Sequence, residues 1–436
     1  MKHLYLIGVG GVGMAWVADY ALRQGWRVSG SDITETALTR RLQGAGAQIY
    51  YGSDPTRIPA DITEVVINSA ITPSSPSYPE VAEAERRGLK IEKRAEWVGK
   101  ITRQKFTIAV AGTHGKTTTT AMIGWILEKA GLDPTVFVGG QLAEWGNATR
   151  IGSGEYLVVE ADEFDRSFHR FYPKIAVVLN IDPDHLDYYP GGITEIEHAF
   201  KRFLRNLPAR TGLVVGYGKD SHIRKIARGF SYKFRWYDES RVWPGLTLRI
   251  PGRHNLLNAT TAARVAHELG VPQKSIKEAL ATFPGVGRRF EYLGTWNRVE
   301  LYDDYGHHPR EVAATLQAAA EKFSGQRLTV VFQPHQKART FHLLKEFGRC
   351  FDQHPPDELI LAPIYQVAGR EEGIAVSSGD IATEIAKNRP AGMVVTVVAD
   401  NRELKQVVRA ASHQSGNLLI MGAGDIRALV DGWRKE

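Results

Sequence analysis

The chain reads as an α/β protein of three domains built on parallel sheets, and three observations predict this. Short apolar runs alternate with amphipathic segments along the whole length. Two of those runs, at residues 4–7 and 106–110, pass directly into glycine-rich turns that open helices. The last third repeats a strand-then-helix order through VELYDDYGHHP, LTVVFQPHQKART, ELILAPIY, MVVTVVAD and LLIMGAGD. A length of 436 residues exceeds one ordinary core and suits two to four units of roughly 100 to 200 residues each.

Composition narrows the function. Hydrophobic residues make up 43% and charged ones 24%, the balance of a soluble globular protein. No apolar run approaches the roughly 20 residues that cross a bilayer. MKHLYLIGVGG enters a strand at once, so a signal peptide is not expected and the expected location is cytoplasmic. The one cysteine, Cys350, leaves no internal disulfide or thiolate metal cluster, and is expected as a free thiol on a helix. A net charge of +7 is dispersed, without a Lys/Arg block carrying interleaved aromatics. Nucleic acid is therefore not an expected partner, and small anionic substrates account for the excess equally well.

The first segment, residues 4–32, is LYLIGVGGVGMAWVADYALRQGWRVSGSD: strand, glycine turn, helix, strand. Gly8, Gly10 and Gly13 have the G-x-G-x-x-G spacing, and Asp32 follows about 20 residues on, where a ribose hydroxyl is met. Alone, this pattern suggests NAD. EVVINSAI reads as a further buried strand running into a polar loop, and LKIEKRAEW closes a first domain at residues 1–104.

The second domain, residues 105–288, opens on AVAGTHGKTTTTAMIG. Glycines expose backbone N–H groups, Lys116 adds a mobile positive charge, and the helix turns its positive dipole end to the same point. That is a phosphate loop, but a shortened one: Gly112 and Gly115 enclose two residues where four are usual. EYLVVEADEFD then brings Glu160, Asp162, Glu163 and Asp165 to the end of a strand, where a magnesium ion would be held. IAVVLNIDPDHLDYY is a second such strand, with Asn180 and His185 past its end. PGRHNLLNATTAARVAHELG sets His254, Asn255 and Asn258 at a helix entry, where amides cap the helix or read a purine edge.

In the third domain, residues 289–436, the rule that parallel sheets bind ligands beyond their carboxyl ends groups Asp303, Asp304, Tyr305, His307, His308, His335 and Arg339 on one edge. No tandem repeat interrupts the three units.

In this order the motifs resemble those of the Mur ligases, along the whole chain. GTHGKTTTT is similar to the family's ATP loop, which accounts for the short spacing; EADEFDRSF resembles its second acidic motif and NIDPDHLDYY its metal-proximal histidine motif. HNLLNATTAA looks like the adenine-contacting motif and GVGRRFE like the segment carrying the arginine at the domain junction. DDYGHHP and FQPHQKART are similar to the alanine-adding branch. The resemblance implies a Rossmann-like N-terminal domain, a central P-loop ATPase domain and a Rossmann-like C-terminal domain.

It also reassigns GVGGVGM from NAD to the diphosphate of a UDP-sugar, UDP-N-acetylmuramate, held by Gly8, Gly10, Gly11, Val12, Gly13, Asp32, Ser69, Ala70 and Arg94. ATP is implied at Gly112, Thr113, His114, Gly115, Lys116, Thr117 and Thr118, with His254, Asn255 and Asn258 at adenine, Asp304 at ribose, and Arg289. Two magnesium ions are implied around Thr117, Glu160 and His185, and L-alanine at Tyr305, His307, His335 and Arg339. Lys116, Glu160, His185, Arg289 and His307 would be the catalytic set, with His307 the candidate base for the amine. The implied reaction is attack of a lactyl carboxylate on the γ-phosphate of ATP, then of the amino-acid amine on the acyl phosphate, by a monomer or homodimer.

Three alternatives stand beside it. A related ligase that recycles whole peptides shares the loop and double histidine but usually lacks FQPH. An NAD-dependent oxidoreductase would leave Lys116, Glu160 and Arg289 without a task, and an idle binding protein would not need an intact Lys116, Thr117 and Glu160. The chain departs from the family pattern at Val12, Ser53, Phe164 and the run Gln336, Lys337, Ala338. Ala199 and Phe200 stand where several members carry a modified lysine, and Lys201 is not assigned that role.

Overall fold

The computed structural model describes residues 1–184, 188–366, 373–388 and 390–436. Packing divides the chain into two units, residues 1–247 with 257–284, and residues 248–256 with 285–436. Among the described residues the first unit holds two sheets and the second holds one.

The first sheet is parallel, in the order Gln48–Tyr51, Arg27–Asp32, His3–Ile7, Glu64–Ile67, Ile91–Lys93. Strand order reverses at His3–Ile7, so the crevice beyond Ile7 is a topological switch point, the place where such sheets bind ligands. Helix Val12–Arg23 leaves that crevice, burying Met14, Ala15, Trp16, Val17, Ala18 and Ala21.

The second sheet runs Lys233–Tyr237, Leu213–Tyr217, Ile175–Val178, Phe106–Ala111, Tyr156–Glu160, Thr135–Leu142, Asn147–Arg150. The strand feeding the phosphate loop lies between Ile175–Val178 and Tyr156–Glu160, with Ala111 level with Val178 and Val110 level with Glu160. That register brings the loop, Glu160 and Asn180 to one edge.

The two sheets of this unit share a continuous apolar core from Leu4 to Ile226. Trp16 stacks on Phe137, ring centroids 5.6 Å apart, and its indole N–H donates to the Val138 carbonyl at 3.1 Å. The helix leaving the first glycine loop is thereby fixed to a strand of the second sheet.

The second unit's sheet runs Glu291–Trp296, Val299–Asp304, Gly416–Met421, Leu328–Phe332, Glu358–Leu361, Val394–Val397. Asp304 and Phe332 both pair with Met421, which levels the carboxyl ends of three strands. Two edge strands, Asn147–Arg150 and Glu291–Trp296, run antiparallel to their neighbours, a reversal the strand-helix reading did not anticipate. Each is joined by a tight turn at a left-handed residue, Gly146 (φ 62°) and Asn297 (φ 54°), too short for a crossover helix. Cys350 is the expected free, buried thiol on helix Leu344–Gln353; burial pushes its pKa up to about 12. Among the described residues no helix is long and apolar enough to cross a membrane.

Candidate active site

In the first unit, the G-x-G-x-x-G turn is built by close approach. Gly8 has φ 76°, and a Cβ on Gly10 would lie 2.8 Å from the Asp32 carboxylate. The Gly10 N–H already donates to Asp32 Oδ2 at 2.7 Å, so Asp32, expected at a ribose, holds the loop itself. A Cβ on Gly13 would meet Arg94 at 2.8 Å, which sets the guanidinium against the helix start. Gly11, Val12, Gly13, Ser69, Ala70 and Arg94 line one cavity of about 280 Å³, which also reaches Glu160 and Asp162. Six of the nine sugar-site residues expected from sequence are therefore brought together with the acidic strand end, while Gly8, Gly10 and Asp32 shape the loop behind them. Asn68 and Gly139, neither of them expected from the motifs, line the cavity too.

The phosphate loop bends at Gly112 (φ 140°) and Gly115 (φ 82°). Asn180 clasps it from the neighbouring strand. The His114 N–H donates to Asn180 Oδ1 at 2.7 Å and Asn180 Nδ2 donates to the His114 carbonyl at 3.0 Å. The Asp182 N–H donates to Thr113 Oγ1 at 2.9 Å, and a Cβ on Gly115 would meet Asn258 Oδ1 at 2.8 Å. Thr118 is buried in the first turn of helix Lys116–Lys129. Lys116 Nζ donates to Glu163 at 2.9 Å and lies 3.5 Å from Asp162. Burial opposes the lysine's charge, yet Glu163, Asp162 and Glu160 hold its pKa above the ordinary range. Burial pushes Glu163 up to about 7 even with that lysine beside it.

The four acids expected at one point have separate tasks. Glu163 binds Lys116. Asp165 and Arg166 take left-handed φ of 50° and 59°, and Asp165 turns back to accept from Ser167. Glu160 faces the loop: Thr117 Oγ1 donates to Oε1 at 3.0 Å and the Gly139 N–H to Oε2 at 2.6 Å. Burial raises its pKa, opposed by Lys116 and the Gly139 N–H. His185, the third expected metal residue, lies outside the described residues.

In the second unit, Arg289 sits between Arg288 (φ 60°) and Phe290 (φ 53°), two strained positions that the neighbouring acids hold. Asp303 takes Arg288 at 3.2 Å. Asp304 accepts from the Phe290 N–H at 2.9 Å, the Gly306 N–H at 2.8 Å and Thr315 Oγ1 at 3.0 Å. The ribose contact expected of Asp304 thus competes with a carboxylate already engaged within the chain, buried and pushed up to about 6. Arg289 lies over the Tyr305 ring at 5.3 Å and 3.7 Å from Glu311.

Tyr305, His307, His335 and Tyr365 form a run of ring contacts, successive centroids 5.5 Å apart. Tyr365 carried no sequence signal. His307 Nδ1–H donates to the Tyr305 carbonyl at 3.1 Å, which leaves the ring lone pair on Nε2. Arg339 donates to His335 Nδ1 at 3.3 Å. His308 caps helix Pro309–Lys322 instead of joining this run. His254 is neutral, its pKa lowered to about 4 by burial and by Arg289, and Asn255 Nδ2 donates to the Pro251 carbonyl at 2.6 Å.

Comparison with known proteins turns this geometry into a family. Residues 3–106, 110–241 and 288–424 match three family models, described as the catalytic domain of the Mur ligase family, the Mur ligase middle domain and the Mur ligase glutamate ligase domain. The chain is a Mur ligase. This Mur ligase is 39% identical over 451 residues to UDP-N-acetylmuramate–L-alanine ligase of Geobacter sulfurreducens, covering 98% of this chain and 96% of that one. It is 39% identical over 462 residues to the enzyme of that name from Acidithiobacillus ferrooxidans, covering 99% and 97%. The crystal structure of UDP-N-acetylmuramate-alanine ligase from Thermotoga maritima, 26% identical, matches with a TM-score of 0.81 over 100% of both chains. A murein peptide ligase from Psychrobacter arcticus, 22% identical, shares the fold at a TM-score of 0.74 over 100% of this chain and 98% of its own.

Proposed function

We propose that this Mur ligase joins L-alanine to the lactyl carboxylate of UDP-N-acetylmuramate at the expense of ATP, through an acyl phosphate. One observation carries the reading: Glu160, one hydrogen bond from Thr117 of the phosphate loop, lines the same cavity as Gly11, Gly13 and Arg94 of the first glycine loop. A sugar diphosphate on the first loop would direct its acyl end toward the triphosphate on the second. The curated relatives of the alanine-adding name, at 39% identity, support the same reading over the peptide-recycling alternative.

The first step joins two anions. A carboxylate oxygen bonds to the γ-phosphorus as its bond to the β–γ bridging oxygen breaks, and ADP leaves. Lys116 and the loop N–H groups stabilise the charge that builds on the phosphoryl oxygens. In the second step the amine nitrogen bonds to the acyl carbon, phosphate leaves with one carboxylate oxygen, and the amine gives up a proton to His307 Nε2. Arg289 and Arg339 supply the cationic contacts of the C-terminal side, and Asp304 serves by fixing the Arg289 backbone.

Thr117 and Glu160 offer hard oxygen donors, the type magnesium takes. Among the described residues no set of three or more His, Cys, Asp and Glu side chains has metal-site geometry. Magnesium bound there would neutralise triphosphate charge; a second ion near His185 belongs to the same proposal. ATP and a UDP-sugar as substrates fit a cytoplasmic site of action.

ADP formation measured across amino acids tests the assignment. It should require UDP-N-acetylmuramate, magnesium and an amino acid together, with L-alanine preferred; activity with a tripeptide and not with alanine would move the chain to the recycling reaction. Arg339→Ala should lower kcat/KM for alanine by about 10- to 150-fold, the loss of one charge-assisted carboxylate contact, with the ATP KM hardly changed. Asn180→Ala should do the opposite. Losing two hydrogen bonds to the loop peptide raises the ATP KM by roughly tenfold and leaves the alanine KM alone. If steady-state kinetics gave the reverse pairing, the two pockets would be wrongly assigned.

A further inference from the structure

Strand Thr135–Leu142 reads TVFVGGQL, and a glycine inside a strand weakens it unless something approaches closely. Gly139 has no positive φ that would call for glycine. The reason lies opposite it: a Cβ there would stand 2.8 Å from Glu160 Oε2 and 3.1 Å from Oε1. In its place the Gly139 N–H donates to Oε2 at 2.6 Å, while the Thr117 hydroxyl holds Oε1 at 3.0 Å. Each carboxylate oxygen thus has its own donor. The strand itself is anchored one residue earlier, where Trp16 donates to the Val138 carbonyl.

We propose that Gly139 is a positioning residue for the metal-binding carboxylate: its missing side chain admits Glu160 and its N–H fixes the carboxylate plane toward Thr117. This rests on the ligase reading of Glu160 as a magnesium ligand. In this role Gly139 acts through Glu160, as outer partners of metal ligands do.

The test is binding of Mn²⁺ to the whole protein with ADP present, followed by electron paramagnetic resonance, which does not depend on turnover. Gly139→Ala should weaken Mn²⁺ binding by about 10- to 100-fold, the range for lost outer partners. Gly44→Ala, where a Cβ meets nothing within 4 Å, should match the parent protein. In a Glu160→Gln background, Gly139→Ala should cost nothing further. Equal Mn²⁺ affinity in Gly139→Ala and parent overturns the proposal. No Mn²⁺ binding by the parent itself overturns the metal reading of Glu160, and this inference with it. Should Gly139→Ala fail to fold, the Gly139 amide resonance of the parent protein decides: it should shift on magnesium titration, and an unmoved signal refutes the role.

Discussion

Lys116→Ala is expected to lower kcat by on the order of 10² to 10³ or more, the cost of removing one preorganised charge from a developing phosphoryl transition state. The structure adds why the variant should still fold. Lys116 is paired with the buried Glu163, and stripping a partner from a buried charge is ordinarily severe. Burial, however, already pushes Glu163 up to about 7 with the lysine present. Without the lysine it can take up a proton and become neutral. The loss should therefore appear in catalysis and leave the melting transition and UDP-N-acetylmuramate binding nearly intact. Near-normal ADP formation by this variant would remove the loop from the mechanism.

Glu160→Gln is expected to cost a similar factor, on the order of 10² to 10³ in kcat/KM, together with a raised magnesium requirement. The substitution keeps the shape and both hydrogen bonds. The amide oxygen can accept from the Gly139 N–H, and the amide NH₂ can donate to Thr117 Oγ1, which the carboxylate now accepts from. What disappears is the negative charge. Titrating magnesium against rate separates the two effects, since a purely structural lesion would not respond to added ion. A variant with unchanged magnesium dependence would show that Glu160 is not a ligand.

The loops were legible because their chemistry needs particular residues at particular spacings. Gly8, Gly10 and Gly13 announce a pyrophosphate turn, and Gly112, Gly115 and Lys116 a phosphate loop, because glycine admits the turn and the close approach and lysine adds a mobile positive charge. Strand ends were legible for a related reason: an apolar run stops where the chain turns to polar groups, so Glu160 and Asp304 declared their edge. The partners of these residues were not legible. Gly139 approaches Glu160 across 21 positions of chain and Tyr365 stacks on His335 across 30, distances that only tertiary pairing closes. The glycine pair interrupting FVGGQL was the available signal, and it marks close approach without saying to what.

Acids mislead in the opposite sense. Glu160, Asp162, Glu163 and Asp165 look equivalent in sequence, yet the left-handed turn at Asp165 and Arg166 and the grip of Glu163 on Lys116 leave Glu160 facing Thr117. Asp304 is similar. Its place at a strand end suggested a ligand contact, whereas three internal donors make it a brace for the segment carrying Arg289.

If ATP activates the sugar's own carboxylate, an oxygen of that carboxylate must leave with the phosphate. Preparing UDP-N-acetylmuramate with both carboxylate oxygens replaced by ¹⁸O and letting the protein turn over with ATP, magnesium and L-alanine tests it by mass spectrometry of the products. One ¹⁸O is expected in each released phosphate and one in the new amide, because the carboxylate oxygen that attacks phosphorus leaves with it. Unlabelled phosphate alongside an alanine-bearing product would contradict the acyl phosphate, and with it the role given to Lys116 and Glu160.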